Sequence, residues 1–130
     1  MEVFKTHGAF SWSELSTSDP AAASEFYGKL FGWRFDKMDM GTGPYHVAKL
    51  GEASIAGVMG FAPEAPPVPC WGVYLTVDAV DETVSQCQAL GGKLCAGPFD
   101  VPGVGRMAVM MDPQGAVFNA ITYSESSTAG

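Results

Sequence analysis

The chain has 130 residues, 47% of them hydrophobic, which suits one domain with a real core. Fourteen acidic against seven basic residues give a net charge of −7 with no basic run, which speaks against nucleic acid and against an anionic membrane surface as partners. Sixteen glycines and nine prolines predict many sharp turns, as in a fold of strands and loops rather than a helical bundle.

Residues 1–8 read as a loose lead-in. The opening MEVFKTHGAF lacks the shape of a signal peptide, and no stretch reaches the ~18–20 apolar residues of a membrane span. A soluble cytoplasmic protein is the expectation. Phe10 to Thr17 alternates as a strand, with Trp12, Glu14 and Ser16 on one face and Ser13, Leu15 and Thr17 on the other. Asp19 is placed to cap a helix that opens on Pro20. Ala23, Phe26, Tyr27, Leu30 and Phe31 then give it an apolar stripe, and Gly32 ends it. Three β-like segments follow, Trp33 to Met38, Tyr45 to Leu50 and Ser54 to Met59, separated by a Gly41–Pro44 turn and a Gly51-Glu52 turn. The first half therefore reads β-α-β-β-β.

Phe61 to Cys70, with four prolines in ten residues, reads as a stiff extended connector. Trp71 to Val77 is the next predicted strand, with Val73, Leu75 and Val77 on one face and Gly72, Tyr74 and Thr76 on the other. Asp78 is the expected cap of a second helix whose stripe is Val80, Thr83, Val84, Cys87 and Leu90, stopped by Gly91-Gly92. A short strand covers Lys93 to Ala96 and a turn-rich loop Gly97 to Gly105. Two strands, Arg106 to Met111 and Ala116 to Tyr123, are joined by the turn Asp112 to Gly115. The small polar tail from Ser124 is expected to fray. Leu15 and Leu75, Leu30 and Leu90, and Gly32 and Gly92 stand sixty apart in strand, helix and stop alike, the mark of an internal duplication.

The blocks STSDPAAASEFYGKLFGW, TVDAVDETVSQCQALGG and GRMAVMMDPQGAVFNAIT resemble the vicinal oxygen chelate superfamily of glyoxalases, bleomycin-resistance proteins and extradiol dioxygenases. The opening block is most similar to its glyoxalase-like branch, some members of which carry a hydroxylase label. The resemblance runs from Trp12 to Tyr123. It implies an α+β fold of two tandem βαβββ modules forming a cup-shaped mixed sheet: module one about 8–60, a proline-rich linker 61–70 and module two about 71–123, all in one domain. It also implies a small organic ligand in the cup and a homodimer.

Metal-using members draw an ion ligand from the first and last strand of each module, usually His or Glu. Carried over, those positions fall on Trp12, Gly72, a residue near Ala56, and Asn119, none of them a usual ligand. No metal site and no cofactor are therefore expected. His7 reads as a surface residue. His46 lies on a module-one strand whose face the glycine-rich turn before it leaves open, so a displaced site using Glu14 and His46 stays in view.

Glu14 is the one acid predicted on the cup face of a strand. It is the candidate catalytic residue, as a general base; the bland alternatives are an ion pair with Arg106 or a place at the wet rim. Trp12, Tyr74, Arg106, Asn119 and His46 are candidate ligand-binding residues. Arg106 suits a carboxylate or phosphate, and equally a structural ion pair. Val101 to Arg106 reads as a turn, since no helix follows to supply a phosphate-binding N-terminus. Cys70, Cys87 and Cys95 show no metal or disulfide spacing, and Cys87 suits a small core position. Two classes of function remain: a glyoxalase-like enzyme with metal-independent acid/base chemistry, and a non-catalytic binding or sequestration protein of the bleomycin-resistance type. A metal-dependent lyase or dioxygenase with a displaced site is the third.

Overall fold

Asp19 accepts a hydrogen bond from the Ala22 amide at 3.0 Å, with Pro20 in the first turn, and so opens helix α1 (Pro20–Phe31). Gly32 closes it with a left-handed φ of 77° and an N–H that returns to the Gly28 carbonyl at 2.8 Å. The computed structural model describes residues 1–39, 43–62 and 66–124. It places β1 (Phe10–Thr17) before this helix, and β2 (Arg34–Asp39), β3 (Pro44–Leu50) and β4 (Ala53–Gly60) after it. The plan is then repeated as β5 (Cys70–Thr76), α2 (Val80–Ala89), β6 (Lys93–Val101), β7 (Gly105–Met111) and β8 (Val117–Tyr123). The fold is α+β, two successive βαβββ modules. Parts of the expected Gly41–Pro44 turn, of the proline-rich connector and of the tail lie outside the described residues. No helix among the described residues is long and apolar enough to cross a membrane.

The chain divides into two compact units, Trp12–Gly72 and Val73–Gly130 together with Met1–Ser11. In the first, the strand order is β2-β3-β4-β1, with β1 parallel to β4 and the other pairs antiparallel. Leu15 pairs with Val58, and Val58 with His46, so these three share a face. Ala48, two residues along β3, points the same way and pairs with Phe35. Helix α1 covers this face: a Cβ added at Gly28 would meet the Phe35 ring at 3.8 Å. Leu15, Ala48 and Val58 are buried beneath it.

The helix does not sit on its predicted stripe. Phe26, Leu30 and Phe31 stand 58%, 57% and 54% exposed. The buried residue of α1 is Ser24, whose hydroxyl donates to the Pro20 carbonyl at 2.8 Å. Ser24 and Gly28, one turn apart, are small enough to bring the helix close to the sheet, and the large side chains are turned aside. Tyr27, Phe31, Trp33 and Trp71 gather there, with ring centroids 5.2–6.4 Å apart.

In the other unit the order is β5-β8-β7-β6. Its core is Val77, Val80, Val84, Ala108, Met110 and Ala120, with Cys87, Leu94 and Phe118 packed against it. Asp78 is not the cap of α2. That position is Ala79, which makes no side-chain cap bond, while the Asp78 amide donates to His7 Nδ1 at 2.9 Å. Leu90 lies beyond the helix and is 79% exposed, so the working stripe is Val80, Val84 and Cys87. The strand expected to end at Ala96 runs on to Val101 through two register shifts, and the loop shrinks to a turn closed by Val104 N–H to Val101 O at 3.0 Å. The lead-in is tied down. Gly8 N–H donates to Thr76 O, Thr76 N–H to Ala9 O, and the Thr76 hydroxyl to Val3 O, at 2.6–2.8 Å, and Phe4 meets the edge of Tyr123.

Candidate active site

Strand pairing decides which side chains share the face of each sheet turned away from its helix. In module one, Glu14 pairs with Gly57 and Ser16 with Met59, while Val47 pairs with Gly57 and Tyr45 with Met59. Alternation along β1 adds Trp12 to this set. Three of these residues are joined by hydrogen bonds. The Tyr45 hydroxyl donates to Glu14 Oε2 at 2.7 Å, and the Trp12 indole N–H donates to the Tyr45 oxygen at 2.9 Å. All three side chains are partly buried. Each polar atom in the relay has the role its chemistry allows: indole as donor only, phenol as both, carboxylate as acceptor.

Gly57 makes the relay fit. A Cβ built there would fall inside the Tyr45 phenol, so the ring crosses β4 at a residue without a side chain and lands beside Glu14. Glycine within a strand often marks such a close approach. The sequence marks Tyr45 only as the start of a strand, and its pairing with Glu14 was missed. The usable signal was Gly57, standing inside an otherwise continuous strand.

His46 is on the other side of this sheet. Its pairing with Val58 puts it on the face of Leu15, under α1, and not with Glu14. The displaced pair of Glu14 and His46 is therefore not brought together.

Module two has the same frame with different contents. Tyr74 pairs with Asn119 and Thr76 with Ile121, Met107 with Ile121 and Val109 with Asn119. Tyr74 thus takes the place of Glu14, Asn119 that of Gly57, Met107 that of Tyr45, and Gly72 that of Trp12. The Tyr74 hydroxyl lies 4.0 Å from the Met107 sulfur, on the diagonal that Tyr45 and Glu14 use in module one. Asn119 directs its amide nitrogen to the Val73 carbonyl at 3.2 Å. Ser11 and Tyr123 share a hydrogen bond at 2.7 Å.

Arg106 is on the helix side of its own sheet, apart from Tyr74 and Asn119. It pairs with Thr122 and holds Asp81 of α2 through Nε and Nη2 at 3.2 and 3.1 Å, and Asp100 through Nη1 at 3.2 Å. These bonds, with Asp81 first, raise its pKa. The structure therefore supplies Arg106 with the ion-pair partners that the sequence left open, Asp81 and Asp100 rather than Glu14.

The positions implied for metal ligands do not fit an ion. Register moves the module-one position from Ala56, which pairs with Ala48 on the helix side, to Gly57. Gly57 and Gly72 have no side-chain donor atom. Trp12 offers only an N–H, already directed to Tyr45, and Asn119 is turned to Val73. Among the described residues no three His, Cys, Asp or Glu side chains are grouped as an ion would need.

The glyoxalase-like domain model matches residues 12–121. "Putative glyoxylase CFP32" of Mycobacterium bovis is 41% identical over 116 residues, 88% of this chain and 44% of that protein. "Anthracycline biosynthesis protein DnrV" of Streptomyces peucetius is 34% identical over 125 residues, 85% of this chain and 46% of that protein. The chain spans about half the length of the curated relatives it matches. Among solved structures, methylmalonyl-CoA epimerase from Mycobacterium tuberculosis superposes with a TM-score of 0.64 at 12% identity, over 95% of this chain and 92% of that one. A hypothetical protein from Bacillus halodurans does so with a TM-score of 0.70 at 11% identity, over 92% and 97%. At such identities the likeness is one of fold.

Proposed function

This chain belongs to the glyoxalase-like domain family, and from that premise we propose that it binds a small, partly apolar organic molecule and moves a proton at it with Glu14 as the base. One observation carries this reading: Glu14 is held by Tyr45 at 2.7 Å, and Tyr45 by Trp12 at 2.9 Å, on the face of module one that α1 leaves uncovered. A base fixed in one orientation loses little freedom when it reacts, and positioned proton transfer contributes about 10²–10⁴-fold. The reaction class that fits is removal of a proton from a carbon next to a carbonyl. The carbon–hydrogen bond breaks, its electron pair passes into the carbonyl as an enolate, and the proton goes to Glu14. The reading uses no metal, in keeping with the side chains at the four positions above. The name of one relative, an anthracycline biosynthesis protein, is in keeping with a flat polycyclic ligand, for which the Trp12 indole is a suitable wall.

A second reading, binding without chemistry, is favoured by the Asn119 amide, which serves the Val73 backbone rather than a ligand oxygen. Hydrogen–deuterium exchange separates the two. A panel of 2-oxo acids, acyl thioesters and aromatic ketones is incubated with the protein in D2O and followed by proton NMR. The enzyme reading expects loss of a carbon-bound proton signal that Glu14→Gln slows by about 100-fold or more, while binding followed by tryptophan fluorescence is kept. Binding without exchange in the native protein establishes the second reading, and exchange at the native rate in Glu14→Gln removes Glu14 as the base.

A further inference from the structure

The face of module one that holds Glu14 also carries two cations. Arg34 pairs with Lys49 and Asp36 with Val47. Val47 pairs in turn with Gly57, and Gly57 with Glu14. Alternation along β2 and β3 therefore puts Arg34 and Lys49 on the face of Glu14. The Lys49 ammonium lies 3.8 Å from the Asp36 carboxylate, as expected of neighbours on one face. A register shift between Ala48 and Lys49 affects the pairing with β4 and leaves that of β2 with β3 unbroken. Strand direction fixes where the cations stand. A step back from Glu14 to Trp12 on β1 corresponds to a step from Val47 to Lys49 on β3 and from Asp36 to Arg34 on β2. Trp12 and the two cations thus lie on the same side of the Glu14 row, with Trp12 at the β1 end.

Like charges directly opposite on paired strands destabilise a sheet. Arg34 and Lys49 are such a pair, in a chain with only seven basic residues against fourteen acidic. Asp36 offsets one of the two charges. Among the described residues Arg34 has no acidic partner, whereas Arg106 has two and Lys29 has one. The Lys49 side chain is only 23% exposed, and Asp36 is its one acidic neighbour among the described residues. A charge so covered calls for closer acceptors than a carboxylate at that distance. We propose that Arg34 and Lys49 hold an anionic group of the ligand, a carboxylate or a phosphate, an inference that rests on the reading of Glu14 as the base. The guanidinium fork and the ammonium both suit such an anion. Glu14 and Lys49 stand two strand spacings and two residues apart, roughly 12 Å between their Cα atoms. The substrate class is therefore an elongated acid. Its carbonyl lies at Glu14, its apolar middle over Gly57 and Val47 beside the Trp12 indole, and its charge at the β2–β3 edge.

Titration calorimetry with 6-acetyl-2-naphthoate, its neutral carboxamide and 6-acetyl-2-naphthyl phosphate tests this. At least one of the two anions should bind about 10-fold or more tighter than the carboxamide, and the tighter one tells carboxylate from phosphate. Arg34→Gln and, separately, Lys49→Gln should each cut that preference below about 3-fold while the carboxamide binds as before. Lys93→Gln, at an exposed lysine of module two, should keep it. Equal affinity for anions and carboxamide overturns the proposal. So does a preference that both variants leave unchanged, or no binding of either anion at about 10 mM. Glu14→Gln separates this proposal from the reading it rests on, since it should abolish deuterium exchange and keep the preference for the anion. A preference for the anion with no exchange in the native chain supports the cation site and strikes only the proton transfer. Should Lys49→Gln fail to fold, the exposed Arg34 decides.

Discussion

Tyr45 lies across Gly57, and the space a side chain would take at Gly57 is where the phenol turns to reach Glu14. The contact depends as much on what Gly57 lacks as on what Tyr45 has. Gly57→Ala displaces the Tyr45 phenol, a side chain and not backbone, so the fold should survive with a loss of about 1–3 kcal/mol by urea unfolding. The relay is lost. A double-mutant cycle checks this: Gly57→Ala should lower proton-exchange activity as Tyr45→Phe does, and the two together should do no more than either alone. Additive losses would show that Gly57 acts otherwise.

The two helices begin differently, and their stability should reflect it. Asp19→Ala removes a side-chain cap on the Ala22 amide and should cost about 1 kcal/mol. Asp78→Ala removes no cap: its backbone amide donates to His7, and its carboxylate lies 3.7 Å from the same ring at an exposed position, so the loss should stay within about 0.5 kcal/mol. Urea midpoints of the two variants provide the comparison.

Met110 is wholly buried in the second unit. Met110→Ala should cost about 2–5 kcal/mol, measured by chemical unfolding, because the surrounding valines cannot close the cavity fully. Met110→Leu conserves volume and should cost less than about 1.5 kcal/mol.

Lys29 lowers the pKa of Glu25, first through the hydrogen bond and then through its charge, and its own pKa is raised in return. A lowered carboxylate pKa adds stability above its unfolded value, and that stability is lost as pH falls through the folded one. The difference in thermal midpoint between native protein and Glu25→Gln should therefore be present at neutral pH, shrink below the ordinary carboxylate range and diminish with salt. A difference that grows on acidification would contradict the pairing. The pair is exposed, so the effect is small.

Much of the fold was legible because its signals are local. Asp19, Pro20 and Gly32 act within a few residues, and alternation along β1 put Leu15 on the helix side and Glu14 on the other, as the structure does. Signals that depend on a distant partner were not legible. Phe26, Leu30 and Phe31 have the spacing of a buried stripe, but the small Ser24 and Gly28 won the contact with the sheet. Asp78 looks like Asp19 in sequence, yet His7, seventy-one residues away, takes its amide. Arg106 could be placed on a strand, but not beside Asp81 and Asp100. His46 needed the register of β3, which the turn before it left open, and Tyr45 could not be joined to Glu14 until the gap at Gly57 was seen.

The relay also constrains how this chain can change over generations. Trp12, Tyr45, Glu14 and Gly57 interlock, so a substitution at one is felt at the others. A side chain at Gly57 leaves the fold standing but displaces Tyr45 from Glu14, so a lineage that keeps the relay keeps Gly57. On the matching face of module two the ties are different: Asn119 is anchored to the Val73 backbone, and the Tyr74 hydroxyl lies against the Met107 sulfur. The two modules thus differ in how their residues are coupled, and in module one the fate of Gly57 is tied to that of Tyr45.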